Sequence, residues 1–370
     1  MATKSPIKLP APVFNDEKHH IRLYQGDSLE LLALLPESSV DLIFADPPYF
    51  LSNGGITCHA GKMVSVNKGA WDKSQGPEAN HEFNRSWLAA CQRILKPNGS
   101  LWVSGTAHVI HSVGFAMQQL GFKLLNDISW VKPNPPPNLS CRYFTHATET
   151  IIWAARDKKS RHTFNYKLMK ETNRGKQMKS VWEHIKPPET WEKRFGKHPT
   201  QKPLALLERI LLASSHEGDL VLDPFSGSGT TALAALRTRR EAIALELSYE
   251  YLALTLQRLT SDLIRVELSL TTLQFSLDLF PDLMDRSCSG RFPKRAPFCA
   301  ERDSSQSMSA NPKLVQQECR FHFIGRHNRA VIFSVQAPSL DDALQQFHSQ
   351  GHSDSDALFI IKTQTEIYLA

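Results

Sequence analysis

No stretch of this 370-residue chain is apolar for long enough to cross a bilayer. Its first residues, MATKSPIKLPAPVF, lack the apolar core of a secretory signal. Cysteine is sparse and scattered. The six, at positions 58, 91, 141, 288, 299 and 319, follow no framework spacing, which argues against a disulfide-stapled scaffold and for free thiols in a reducing, cytoplasmic compartment. Cys319, His322 and His327 lie close together but lack a further ligand pair at zinc-site spacing, so no metal is expected. No GK[ST] follows the glycine-rich loop, which excludes a Walker phosphate site. There is also no internal repeat. Hydrophobic residues make up 41% and charged residues 22%, a composition that excludes disorder of the whole chain.

Charge is present but uneven. The formal net charge is +6, yet Arg156–Lys202 alone holds fourteen Lys/Arg against five Asp/Glu. Phe164, Tyr166, Trp182, Trp191 and Phe195 are interleaved with them. Cations combined with aromatic faces suit phosphate contact plus base stacking, so this segment points to nucleic acid. Lys158, Lys159, Arg161, Lys176 and Lys179 are its candidate contacts.

On both sides of the basic segment, short apolar runs alternate with helical patterns. Val40–Ala45, Ser100–Ser104, Ile128–Val131, Thr150–Ala154, Leu220–Leu222 and Ala242–Leu245 read as buried strands. Ser28–Leu35, Glu82–Leu95, Pro203–Ser214 and Tyr249–Ile264 read as helices, the second ending at Lys96-Pro97-Asn98-Gly99. This alternation predicts a doubly wound α/β sheet over residues 1–265. Residues 266–318, whose 286–318 part is rich in Ser, Pro, Arg and Gln, read as a partly disordered linker, and 319–370 as a small ββαββ appendage.

Two strand ends carry chemistry. Asp46-Pro47-Pro48-Tyr49 directly follows VDLIFA. Two prolines remove two amide donors and leave carbonyls as acceptors beside the Asp46 carboxylate. Such a pair of acceptors fits the two N–H groups of an exocyclic amine, and Tyr49 adds a face for a planar base. The second strand, Val221–Asp223, runs into Pro224-Phe225-Ser226-Gly227-Ser228-Gly229-Thr230-Thr231 and then a helix, a turn that admits close backbone approach of a ligand. Glu246 ends the next strand, where an acid binds ribose hydroxyls. Gly227-x-Gly229-x-x-Ala232 also fits a dinucleotide fingerprint, which keeps a nicotinamide dehydrogenase open on that string alone.

DPPY and DPFSGSGTT together resemble the S-adenosylmethionine-dependent amino-methyltransferases of DNA. Their order, with His198-Pro199-Thr200-Gln201-Lys202-Pro203 between them, is similar to the circularly permuted class called beta. The strings ADPPYFLSNGG, NLSCRYFTHATETIIWA and GKHPTQKP are similar to adenine-N6 methyltransferases of restriction-modification systems that recognise GATC. The resemblance covers about residues 20–262 and implies a Rossmann-like methyltransferase sheet with helices on both faces. It implies that Asp46 and the Pro47 carbonyl accept from the target amine, with Pro48 and Tyr49 completing the turn and Tyr49 stacking on a flipped base. It implies that Asp223 and Phe225–Thr231 hold the methionine end of the cofactor and Glu246 the ribose. Lys202, with His198 and Thr200, would meet its carboxylate. Asp27 would meet its adenine amine, or else cap a helix. For DNA it implies a target-recognition segment at about 133–200 and a mobile loop at about 51–80 carrying Asn53, Lys68 and Trp71. Arg142 stands for a guanine edge or a phosphate, or for a structural arginine.

Two alternatives remain at this point. Methylation of N4 of cytosine uses the same geometry, although that group more often has Ser at the Asp46 position. A non-catalytic DNA-binding regulator would lack cofactor binding. A carbon-5 cytosine enzyme is disfavoured because no Pro-Cys pair occurs. Expected partners are DNA, single- or double-stranded, a cognate restriction endonuclease and a second copy of the chain, with no membrane.

Overall fold

A computed structural model describes residues 9–52, 56–59, 62–65, 72–135, 137–138, 141–263, 319–325, 331–337, 345–346, 348–350 and 357–364. Contacts divide the chain into two units, Met1–Ser287 and Cys288–Ala370. The first unit begins with β1 (Phe14–Asp16), β2 (Ile21–Gln25), α1 (Ser28–Leu34) and β3 (Val40–Ala45). A hairpin follows, β4 (Ile56–His59) and β5 (Lys62–Ser65), then α2 (Pro77–Ile94), β6 (Leu95–Gly105), α3 (Ile110–Gln119), β7 (Lys123–Val131) and β8 (Thr148–Ala155). The unit continues through α4 (Tyr166–Thr172), β9 (Val181–Trp182), α5 (Leu204–Ser214), β10 (Leu220–Asp223), α6 (Thr230–Arg237) and β11 (Glu241–Glu246). A helix over 249–263, α7, ends it.

Nine strands form one sheet in the order β1-β2-β11-β10-β3-β6-β8-β7-β9. The block β2-β11-β10-β3-β6 is parallel. β8 is antiparallel to both of its neighbours, and β1 to β2. Period-two alternation sends the β3 side chains to two cores, which is why VDLIFA is apolar from Leu42 onward, while Asp41 near its start pairs with Lys96 at 2.7 Å. Leu42 and Phe44 pack with Trp102, α5, α6 and α7, while Ile43 and Ala45 pack with α1, α2 and α3. Trp102 stacks on Trp153 at 4.7 Å between centroids, and its indole N–H donates to Ser214 Oγ at 2.9 Å.

The doubly wound architecture matches the expectation, with several differences of detail. α2 starts at Pro77, ahead of the expected Glu82, because a proline at the first turn loses no helix bond. α5 starts at Leu204, whose N–H is accepted by the buried Glu192 carboxylate at 2.8 Å, and Pro203 is its N-cap. β2 and α3 were not anticipated. Part of the segment expected as a mobile loop forms the β4–β5 hairpin. In the second unit, β12 (Cys319–Gly325), β13 (Val331–Ala337) and β14 (Ala357–Gln364) form an antiparallel sheet in the order β13-β12-β14. The expected linker and the last expected strand, 365–369, lie outside the described residues.

Parallel strands bring their carboxyl ends to one edge, where open α/β sheets bind ligands. Gly26-Asp27 after β2, Asp46 after β3, Asp223 in β10 and Glu246 in β11 therefore meet there. The β7–β8 connection, which carries Arg142, returns to the same edge, since Gly105 at the end of β6 pairs with Thr150 near the start of β8.

Candidate active site

Asp46 is held from two sides. Its Oδ1 accepts from the Tyr49 hydroxyl at 2.6 Å and its Oδ2 from Lys202 Nζ at 2.6 Å. Lys202 Nζ also lies 3.0 Å from the Tyr49 hydroxyl and 3.5 Å from Glu149 Oε2. All of these groups are buried or nearly so. Burial pushes the Asp46 carboxyl upward, with Lys202 opposing. Burial works against the Lys202 ammonium, but Asp46 and Glu149 outweigh it and hold the lysine charged. Glu149 stays low despite its burial, because Lys202 and Lys132 both face it.

The backbone after Asp46 is shaped by Asp72, which sequence reasoning missed. Its fully buried carboxylate accepts from the N–H groups of Tyr49 at 2.8 Å, Phe50 at 2.8 Å and Leu51 at 3.1 Å, and from Ser52 Oγ at 2.8 Å. Successive amides wrapped around one anion form a nest. The nest offsets the cost of Phe50 at φ 57°, about 1–3 kcal/mol for a non-glycine residue. No local motif marks Asp72, because its partners lie some twenty residues earlier.

Opposite the Asp46 turn lies the glycine loop, and between them is a cavity of about 280 Å³. Phe225, Ser226, Gly227, Ser228, Thr230 and Thr231 line it, together with Asp223. Asp27, Pro48, His198, Thr200, Lys202 and Glu246 complete the wall. The predicted cofactor residues are thus brought together, with one exception. Gly229 lies beneath the loop at φ 70°, where an added Cβ would stand 2.2 Å from Thr255 Cγ2. Arg258, a second missed residue, donates from below to Ser228 Oγ at 3.0 Å and Thr230 Oγ1 at 2.9 Å. Glu246 accepts from Gly227 N–H at 2.7 Å and Ser248 N–H at 2.8 Å, which ties the loop to β11. Asp223 accepts from Phe225 N–H at 2.9 Å and from the Thr231 hydroxyl, yet burial pushes its carboxyl up to about 7.

This wall fits S-adenosylmethionine. Four acids against one paired lysine suit a ligand that carries a sulfonium and an ammonium. The buried Ser226 Oγ has no hydrogen-bond partner in the protein, and Gly227 has no Cβ to crowd the His198 ring, 3.0 Å from where one would sit.

Other expected roles meet a different geometry. Lys202 does not stand alone for a cofactor carboxylate; its ammonium is directed to Asp46. Tyr49 is 4% exposed and supports Asp46, and Pro48 rather than its ring lines the cavity. Asp27 does cap α1, accepting from Leu29 N–H at 2.8 Å, while it also lines the cavity. Lys158, Lys159 and Arg161 emerge where Ala155 pairs with Ser100, at the sheet edge opposite Asp46. Arg161 N–H donates there to Asn98 Oδ1 at 2.9 Å. Lys176 and Lys179 precede β9 at the outer edge of the sheet. Trp182 is a core residue, packed 6.2 Å from Trp102. Asn53, Lys68 and Trp71 lie outside the described residues. Among the described residues no group of three or more His, Cys, Asp or Glu is placed to hold a metal, and no helix is long and apolar enough to cross a membrane.

Fold and site together define an S-adenosylmethionine-dependent α/β methyltransferase. Residues 40–257 match the family described as DNA methylase. The chain is 53% identical over 259 residues to the Type II methyltransferase M2.DpnII of Streptococcus pneumoniae, spanning 69% of this chain and 95% of that one. It is 56% identical over 246 residues to the Type II methyltransferase M2.LlaDCHI of Lactococcus lactis subsp. cremoris, spanning 66% of this chain and 90% of that one. Among solved structures it is similar to the cytosine-N4-specific PvuII DNA methyltransferase, with a TM-score of 0.54 and 25% identity over 67% of this chain and 88% of that one. The chain belongs to the DNA methylase family and is a DNA methyltransferase.

Two outcomes follow from this geometry. Gly229→Ala forces both a positive φ and a clash with Thr255, and should lower stability by about 1–3 kcal/mol in denaturant melts. Asp223, neutral below about 7 and charged above it, should make cofactor binding tighten as pH rises through that value. Calorimetry in buffers of different ionisation enthalpy should show proton release on binding, which Asp223→Asn should remove.

Proposed function

We propose that this enzyme transfers the methyl group of S-adenosylmethionine to the exocyclic N6 of a flipped adenine, within GATC. The observation that carries this reading is the turn after β3, whose Asp46 and Pro48 line the cavity, with the Asp46 carboxylate ordered by Lys202 and Tyr49. The bound cofactor supplies an already activated methyl group, so the residues need only align and stabilise. Asp46 and the Pro47 carbonyl accept the two amine N–H bonds and turn the nitrogen lone pair toward the cavity. Those bonds strengthen as positive charge grows on N6, so they favour the transition state over the bound substrate.

Asp at the first motif position, in place of Ser, and the GATC-type strings support adenine over N4 of cytosine. The placement of the Asp46 turn ahead of the glycine loop, with β3 beside β10, supports a circularly permuted arrangement. The β7–β8 loop supports a DNA contact at the same edge: it carries Arg142, and its Tyr143 and Phe144 are strongly exposed. We place the enzyme in the cytoplasm of a bacterial cell, acting on DNA in a restriction-modification system. A cognate endonuclease and a second copy of the chain complete the proposed partners.

Purified protein, labelled S-adenosylmethionine and unmethylated DNA test this, with nucleoside analysis and site mapping. N6-methyladenine in GATC is expected, whereas N4-methylcytosine would move the substrate. Asp46→Ala should retain cofactor binding and lose transfer by at least about 100-fold.

A further inference from the structure

Asp46 is the end of a chain of alternating charge. Lys202 Nζ is 2.6 Å from Asp46 Oδ2 and 3.5 Å from Glu149 Oε2, and the other Glu149 oxygen accepts from Lys132. Glu149 Oε2 is buried and meets the Lys202 ammonium at the outer limit of hydrogen-bond distance. The lysine thus sits between one carboxylate oxygen that it bonds closely and another that it holds at longer range. A small shift of the ammonium toward Glu149 would exchange the two. No step described above uses Glu149 or Lys132.

The transfer step calls for such a shift. N6 forms its bond to the methyl carbon with its lone pair, while the sulfur–carbon bond breaks and its electron pair stays on sulfur. N6 is then cationic and must lose a proton. Asp46 is the acid in contact, but both of its oxygens already accept a bond, and an ammonium at 2.6 Å opposes a proton on Oδ2.

We propose that Glu149 is a positioning residue that takes over the Lys202 ammonium as Asp46 accepts the proton lost by the target amine. Lys202 swings from Asp46 Oδ2 to Glu149 Oε2, a short movement of a side chain that stays buried. The proton arrives on the vacated Oδ2, and Tyr49 remains on Oδ1. One positive charge leaves the sulfonium and one proton reaches Asp46, so the charge of the closed site is conserved. Lys132 keeps the Glu149 carboxylate ionised and fixed on β8 until the ammonium arrives. The proton passes to water when the product leaves. This inference rests on the proposed amine methylation.

The groups facing Asp46 are Tyr49 of its own turn, Lys202 from the segment before α5, Glu149 of β8 and Asp223 of β10. Of these, Glu149 can be changed without touching a group in contact with the amine. Glu149→Gln keeps shape and removes the charge. Single-turnover transfer should fall by about 10–100-fold, with the affinities for cofactor and DNA unchanged. The acid limb of the rate profile should move to lower pH, since a negative neighbour of Asp46 is gone. Lys132→Met should move it to higher pH, since a positive charge is gone. The infrared carbonyl band of protonated Asp46, assigned by its absence in Asp46→Asn, should shift the same way in the free enzyme of each variant. A wild-type rate in Glu149→Gln, or a lower rate with neither limb nor band displaced, overturns the inference. If Glu149→Gln does not fold, Lys132→Met decides it, and an unmoved limb and band there are equally fatal. A wild-type enzyme that methylates no amine in DNA overturns the proposed function instead.

Discussion

One buried ion pair joins the two motifs of this enzyme. Lys202 and Asp46 are 156 residues apart and meet at 2.6 Å. Lys202 precedes α5, which packs on one face of the sheet, and Asp46 ends β3 at its centre. A buried pair of this kind adds little to net stability, because desolvation of both charges offsets their attraction, but removing one partner costs about 3–5 kcal/mol. Its consequence is therefore geometric. It fixes the orientation of the Asp46 carboxylate at the carboxyl end of β3.

Around that pair, three segments that touch the cavity are tied by buried side chains. Asp72 gathers the amides after Asp46, Arg258 supports the glycine loop from α7, and Glu192 caps α5 beside the lysine. Each tie sits where a charged group is satisfied by several donors or acceptors, and so is strong enough to fix a loop. These ties hold the cavity wall in fixed positions, the arrangement that transfer by alignment requires.

Much of this was legible in the sequence where cause and effect are local. The runs before Asp46 and Pro224 read as strands, and the turns after them as ligand-binding ends, because strand, turn and helix follow within a dozen residues. Asp72, Glu149 and Arg258 were not legible, since each acts on residues far along the chain and no local pattern marks it. The antiparallel β8 was hidden for a similar reason: an apolar run carries no sign of strand direction. That reversal also explains the basic segment. Concentrated charge in sequence carries no sign of which edge each residue reaches, and the strand turns Arg156–Arg161 to the edge opposite Asp46, where Arg156 bonds Ser38 and Leu95. Tyr49 shows the same limit on a smaller scale, because its residue type suits base stacking while its hydroxyl and burial make it a support for Asp46.

Centrally, we propose that Lys202 serves Asp46 rather than the cofactor carboxylate. The most direct measurement is cofactor affinity by calorimetry beside the single-turnover rate in Lys202→Met, with thermal melts to establish that the variant is folded. The account predicts a dissociation constant within a few-fold of wild type and a transfer rate lower by about 100-fold or more. Affinity lost in proportion to rate would contradict it and return Lys202 to the cofactor.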